Sequence, residues 1–563
     1  MLAESPAILR DRDADDIRSA PLPKRADLMR LPEPEGLVRI PLQIHRNYAF
    51  EFVGSVLPPF LWAAGMKPVI DYGAYDNSLS FTHIDPAAIQ IISLDFDGYE
   101  TQADSADFRQ WFGSRLETLR DKCEQAIVIS NWPSEERSAC EFNRAIEKIA
   151  DRLPAVFVWN VFDVYRRMET NFFDERAVRA KGTRLSDRAC IELARSLGLI
   201  RLPSALRPRL KAVVVDLDNT LYDGVLGEDG VEGIRITPMH SAIHMELLRL
   251  RDEGVFLGVL SKNDESDFAE LCLTRHDFLL SADHFSASSV GWHSKVEGLA
   301  RIADHLRIAP DAILVIDDNP AELEQIRAVH AKTHLLHARD AEQTLFWLRH
   351  YPTLNDYRPN AATALRVSDL EASSEREEFR TSHSGADYIR EMQIELCYAL
   401  NPTGLRGRLA ELSQKTNQFN TGLQRFLEIQ IGKRLQAPGH YTISIGMRDR
   451  FSDSGIIGAI FARKKDDSLL IDEICVSCRA LGRNVESPMI ARALAPIMDR
   501  HGLNNVTFTF RQGPRNLPAR MWLTSFTGTP NIPDHGMVTV PWEAVPQRTE
   551  HLSAPVASKW EHR

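Results

Sequence analysis

The sequence predicts a multidomain α/β protein, on three observations. Short apolar runs alternate with helical patterns from residue 37 to about 350. Within that stretch a new set of runs starts near residue 210, with carboxylates at its strand ends. Beyond a charged segment at 353–384 the pattern changes to α+β. Apolar runs alternating with helices are what a parallel sheet covered by helices requires. A length of 563 residues with 44% hydrophobic content supports several packed cores.

Residues 1–35 are polar and Pro-rich, and a loose arm is expected there. In 36–205 the runs LVRIPLQIH, KPVIDYG, IQIISLDF, AIVISNW and AVFVWNVF read as buried strands, with helices over 108–123 and 136–152. A second α/β domain at 206–352 has AVVVDL, VFLGVLS and AILVIDD as strands and helices over 242–252, 295–306 and 320–328. The segment 353–384, with DLEASSEREEFR, reads as a linker. An α+β domain at 385–545 follows, with strands YTISIGMRD, IIGAIFARK, SLLIDEICVS and NVTFTF and a helix over 486–501. Residues 546–563 read as a frayed tail.

The net charge of -11 argues against nonspecific binding of nucleic acid. No run of about 20 apolar residues is present to span a membrane. The start, MLAESPAILRDRDADD, lacks the apolar core of a signal peptide, so a soluble cytoplasmic protein is expected. Seven scattered cysteines, an odd number, predict reduced thiols rather than a disulfide framework.

The chemistry concentrates in VVVDLDNTLYDGVLGEDG. Asp216 and Asp218 stand two apart just past a buried strand, on one side of an extended chain, where parallel sheets place their sites. One carboxylate can attack phosphorus, and the other can protonate the leaving oxygen and later activate water. A divalent cation is then needed, because a carboxylate does not approach an anionic phosphate unaided. Ser261 in VLSKN ends the next strand and can hydrogen-bond a phosphoryl group. Lys295 in HSKVEGL opens a helix and can neutralise phosphate charge. Asp317 and Asp318 in LVIDDNP end a third strand and can hold Mg²⁺ through hard oxygen ligands. A single Asp-x-Asp is more simply a solvated strand end, but four parts in this order outweigh that reading. The set resembles the haloacid-dehalogenase (HAD) superfamily. The resemblance implies Asp216 as nucleophile, Asp218 as acid/base, and Mg²⁺ held by Asp216, the Asp218 backbone carbonyl and Asp317 or Asp318.

In the third domain, Arg479-x-x-Gly482-x-Asn484 places a guanidinium and backbone N–H groups at a helix N-terminus, an arrangement suited to phosphate. It resembles the phosphate loop of the GNAT acyltransferase fold, departing from it at Asn484. Cys475 and Cys478 form a lone Cys-x-x-Cys without a second ligand pair for zinc. Cys475 reads as core. Cys478, beside Arg479 and near Arg483 and a helix start, reads as a candidate thiolate.

Together DLDNTLYDGVLGEDG, LSKND, the Lys295 region, IDDNPAE, QKTNQFN and SCRALGRNVE resemble the FkbH-like glyceryltransferase/phosphatases of polyketide-type biosynthesis, from about residue 210 onward. The resemblance implies that 1,3-bisphosphoglycerate donates a phosphoglyceryl group to an enzyme thiol, here assigned to Cys478. The HAD site then removes the phosphate, and the glyceryl group passes to the phosphopantetheine thiol of an acyl carrier protein. Arg479, Gly482 and Arg483 would seat the phosphopantetheine phosphate. A plain HAD phosphatase for another phosphomonoester, and a non-catalytic carrier-docking module, are the competing readings. The chain departs from the family pattern at Tyr222-Asp223, where Asp223 adds a negative charge near the phosphate site, and at Ser454, where Tyr is expected. The first domain resembles SGNH hydrolases, but His45-Arg46-Asn47-Tyr48 stands where a Gly-Asp-Ser turn belongs. No Asp-x-x-His stands near its end, where LSDRAC is the nearest stretch. It is therefore expected to dock or support, with His45 structural.

Overall fold

The computed structural model describes residues 12–99, 106–354, 391–545 except 482 and 484, 556–561, and scattered positions between 365 and 379. The chain divides into two compact units, Met1–Pro359 and Asn360–Arg563. No helix among the described residues is long and apolar enough to cross a membrane.

The first unit holds two five-stranded parallel sheets. One contains β1 (Val38–Arg46), β2 (Met66–Tyr75), β3 (Ile89–Ser93), β4 (Ile127–Ser130) and β5 (Val156–Trp159), in the order β2-β1-β3-β4-β5. The other contains β6 (Ala212–Val215), β7 (Phe256–Ser261), β8 (Ala287–Val290), β9 (Ile313–Asp317) and β10 (His334–His337), in the order β10-β9-β6-β7-β8. Every residue of β3, β4, β6, β7 and β9 is buried. Strands covered by helices on both faces are mostly apolar for that reason.

The expected division between 36–205 and 206–352 falls inside this unit. Leu197, Leu199, Leu202 and Leu210 are all buried and belong to one hydrophobic cluster running from Leu28 to Leu354. The two sheets therefore share a core. The expected loose arm is also corrected from Arg12 onward, while residues 1–11 lie outside the described ones. Helices Arg12–Ser19 and Arg25–Arg30 pack on the unit. Leu28 is buried, Arg18 Nε donates to the Pro59 carbonyl at 2.9 Å, and Asp16 pairs with Arg339.

The second unit is built on a seven-stranded sheet: β11 (Glu395–Leu400), β12 (His440–Arg448), β13 (Asp453–Lys465), β14 (Ser468–Val476), β15 (Asn505–Arg511), β16 (His535–Pro541) and β17 (Ala557–Glu561). Its order is β16-β15-β14-β13-β12-β11-β17, with β14–β15 and β11–β17 parallel and the other pairs antiparallel. β14 pairs with β15 only from Ser468 to Ile471, after which the ladder ends. Further along β14, the loop at 419–424 takes over: Val476 N donates to the Phe419 carbonyl at 2.9 Å, and Asn420 bridges Cys475. Helix Glu486–His501 follows β14.

Two more expectations are corrected here. Part of the expected tail is β17, in which Trp560 stacks on Tyr398 at 5.1 Å; residues 546–555 and 562–563 lie outside the described ones. Part of the expected linker is core. Asp369 and Arg376 are 2% and 6% exposed and join Asp449, Ser452 and Ser454 in one network. Charges that read as solvated in the sequence are here satisfied by one another.

Candidate active site

In the second sheet β6 lies between β9 and β7, so the chain leaves β6 in both directions across the sheet. Parallel sheets open a crevice at the carboxyl end of such a switch point. Asp216 is the first residue after β6, Asp317 ends β9 and Ser261 ends β7. Lys295 opens helix Lys295–His305, whose N-cap is Ser294. That helix can lie close to the sheet because residue 298 is glycine. A Cβ there would stand 2.5 Å from a Leu260 methyl and 2.7 Å from Ser289 Oγ.

The expected acidic residues meet. Asp216, Asp317 and Asp318 each offer a carboxylate oxygen within 4.8 Å of the others. Lys295 Nζ lies 3.0 Å from Asp216 Oδ1 and 2.6 Å from Asp317 Oδ2. Burial, reinforced by the charge of Asp317 and opposed by Lys295, pushes the Asp216 carboxyl up to about 6. Burial also raises Asp317, and burial with the charge of Asp216 raises Asp318. Burial lowers the Lys295 pKa, but the two carboxylates outweigh it and hold the ammonium above its ordinary range. Three carboxylates around one ammonium leave two negative charges in a desolvated crevice. A divalent cation balances that charge, and the all-oxygen donor set suits a hard ion such as Mg²⁺.

Asp218 stands apart from this cluster. Its Oδ1 accepts from Tyr222 OH at 2.8 Å and from Leu226 N at 3.0 Å, and its Oδ2 accepts from Asn263 Nδ2 at 3.0 Å. Asn263 Nδ2 also reaches Ser261 Oγ at 3.1 Å, joining the ends of β6 and β7. The side chain of Asp218, expected to meet the metal only through its backbone carbonyl, is held by these three donors. Asn263 and Tyr222 are not among the site residues expected from the sequence. The available signal was their place inside LSKND and DLDNTLYDG. The tight turn after Asp218 uses Asn219 at φ 51° and Gly224 at φ 114°, and Gly224 N donates to Asn219 Oδ1 at 3.1 Å. Asp223 does not bring the unbalanced charge expected of it, since Arg235 binds its carboxylate at 2.6 Å.

In the second unit, Cys475 is fully buried and its thiol is pushed well up by burial, as befits a core residue. Cys478 is half-buried in the turn after β14, where its carbonyl accepts from Leu481 N at 3.2 Å. Arg479 N donates to Ser477 Oγ at 3.4 Å. Gly482 and Asn484 lie outside the described residues. Arg483 departs from its expected role as a phosphate ligand. It is buried, and its guanidinium meets Asp449 at 2.8 Å, Ser454 Oγ at 3.1 Å and Asp369 at 3.5 Å. A guanidinium neutralised inside the protein is not available to a phosphate. Ser454 is a working member of that network, donating to Asp369 at 2.7 Å.

In the first sheet His45 Nε2 lies 2.7 Å from Gln90 Oε1 and edge-on to Phe81, and burial lowers its pKa. That is a packing role.

No protein-family model matches the chain, and no curated protein matches it. Among solved structures it is similar to the N-terminal part of BF1531 from Bacteroides fragilis, which contains a phosphatase domain and was complexed with Mg. The identity is 19%, covering 60% of this chain and all of that one, with a TM-score of 0.46. It is also similar to a putative HAD-like phosphatase from Mesorhizobium loti, at 16% identity, 27% and 91% coverage and a TM-score of 0.21. A third similarity is to the ribosomal-protein-S18-alanine N-acetyltransferase from Escherichia coli, at 10% identity, 26% and 93% coverage and a TM-score of 0.20.

Proposed function

We propose that the protein is a magnesium-dependent enzyme of HAD type that removes the phosphoryl group of a phosphomonoester. The observation that carries this is the gathering of Asp216, Asp317 and Asp318 around Lys295 at a switch point, with Asp218 held separately by three donors. Asp216, Asp317 and Asp318 would hold the cation, which when bound screens the phosphoryl oxygens from the carboxylates. Asp216 attacks phosphorus. Asp218 protonates the leaving oxygen and afterwards takes a proton from the water that hydrolyses the aspartyl phosphate. Ser261 and Lys295 bind the phosphoryl oxygens. Phosphate release from an aryl phosphate tests this directly. Asp216→Asn and EDTA should each abolish it, and Asp218→Asn should reduce it by about 10²–10⁴-fold. Full turnover in EDTA would sink the proposal.

The finer reading is that the organic group is a glyceryl unit. The chain would transfer it from 1,3-bisphosphoglycerate through Cys478 to the phosphopantetheine thiol of an acyl carrier protein, and its phosphate would leave at the HAD site. An acyl phosphate is readily attacked by a thiolate. The β14–β15 ladder ends at Ile471, so the end of β14 that leads to Cys478 is not paired with β15. A second reading, a phosphatase for a different small phosphomonoester, is favoured by the internal commitment of Arg483. Intact-protein mass spectrometry with 1,3-bisphosphoglycerate and a holo carrier protein separates the two. The first predicts a covalent adduct and carrier loading, both lost in Cys478→Ala. Carrier loading by Cys478→Ala at the parent rate removes the thioester.

A further inference from the structure

The lip of the candidate site carries an aromatic residue that the chemistry above does not use. Trp292 is 73% exposed, more than any other tryptophan among the large hydrophobic side chains on the described surface. An indole whose ring faces stay in water forgoes a large burial energy, and tryptophan is enriched where one end of a side chain meets a partner and the other stays wet.

Three links fix its place. Gly291 N, one residue earlier, donates to the Ser261 carbonyl at 3.0 Å. The Trp292 indole N–H itself donates to Asp264 Oδ1 at 3.0 Å. Three residues later, Lys295 reaches Asp216. Trp292 therefore spans the loops after β7 and β8, between the residues that would bind the phosphoryl oxygens, and its ring is pinned by a hydrogen bond. The turn itself is built for this: Gly291 has φ 147°, and a Cβ there would stand 3.0 Å from the His293 ring. His293 is held in turn by Ser289 at 2.7 Å.

The charges nearby restrict what can lie on that ring. Asp264, Glu265 and Asp267 follow directly on the β7 side, and the one lysine beside them, Lys262, is paired with Glu322 at 2.6 Å. An acidic lip repels a second anion on the substrate.

Resting on the phosphatase reading, we propose that Trp292 is a specificity-determining residue. It would receive the organic part of the phosphomonoester, and would favour an uncharged part with a flat or CH-rich face over a short one carrying its own carboxylate.

The test compares kcat/KM of the full-length protein with Mg²⁺ on phenyl phosphate, methyl phosphate and 3-phosphoglycerate. The parent should prefer phenyl phosphate to both others. Trp292→Ala should lower the phenyl-to-methyl ratio about fivefold, the worth of one ring–ring contact, through KM rather than kcat, and Trp292→Phe should restore most of it. Asp264→Ala, which frees the indole, should lower the ratio in the same direction. An unchanged ratio in Trp292→Ala, or an equal fall in kcat on phenyl and methyl phosphate, overturns the proposal, since the loop would then only support Lys295. A parent preference for 3-phosphoglycerate overturns the charge argument. No turnover of any of the three by the parent would overturn the phosphatase reading, and this inference with it.

Discussion

At the scale of single residues, the candidate site works by separating two aspartates that stand two apart in the sequence. Asp216 points into an acidic crevice where burial raises its carboxyl to about 6. Asp218 points to Tyr222, Leu226 and Asn263, which fix the direction of both its oxygens. A hydrogen bond to a charged acceptor is worth about 1.5–3 kcal/mol. Tyr222→Phe should therefore lower kcat for phosphate release roughly tenfold or more, while the titration of protein by Mg²⁺ keeps its midpoint, since the hydroxyl's hydrogen bond goes to Asp218 rather than to the three-acid cluster. A shifted Mg²⁺ midpoint with kcat intact would show that the tyrosine serves the metal site instead. That Asp216, Asp317 and Asp318 come together was legible in the sequence, because each stands at or just past the end of a buried strand; that Lys295 pairs with Asp216 and Asp317 was not. Nor were the donors on Asp218. Asn263 and Tyr222 look like ordinary turn residues until β7 is laid beside β6.

At the scale of elements, legibility followed burial. β3, β4, β6, β7 and β9 are buried along their whole length and read as largely apolar runs. β8 (ASSV) and β10 (HLLH) lie at the sheet edges, where one side is free of neighbours and polar residues are tolerated, so neither run identifies itself as a strand. The same reasoning explains why the arm and the tail read as loose: Arg12–Ser19 and Ala557–Glu561 are short and polar and gain order only by docking. In the second unit the loop at 421–424 is held to β14 by the Glu473 carboxylate and by Thr421 Oγ1, which accepts from Ile474 N at 3.0 Å. Glu473 is fully buried and accepts from Thr421 N at 2.7 Å, Gly422 N at 3.0 Å and Gln424 N at 2.6 Å. Gly422 permits this approach, since a Cβ there would lie 2.4 Å from the Asp472 carbonyl oxygen. Glu473→Gln turns one acceptor into a donor facing a backbone N–H. Leaving a buried donor unsatisfied costs about 1–3 kcal/mol, so the unfolding transition of this unit should fall by roughly 2 °C or more in calorimetry. An unchanged transition would mean that the loop is held by its other contacts.

At the scale of the whole molecule, each unit sets its own chemistry. The first joins two parallel sheets over one core, and among the described residues the carboxylate cluster that suits a divalent cation stands on the second of those sheets. In the second unit, charged residues that looked like surface or ligand groups are spent on its interior. Asp369, Arg376, Asp449 and Arg483 neutralise one another, and only the fold could reveal it, because Asp369 and Arg483 are 114 residues apart in the chain.

The central claim is that Asp216 is the residue that takes the phosphoryl group. Acid-quenched peptide mapping during turnover of an aryl phosphate tests it most directly. The account predicts a phosphorylated peptide containing Asp216 that appears with Mg²⁺, is absent with EDTA, and accumulates in Asp218→Asn, where hydrolysis of the aspartyl phosphate is slowed. A phosphoryl label on another residue, or steady turnover by Asp216→Asn, would contradict it.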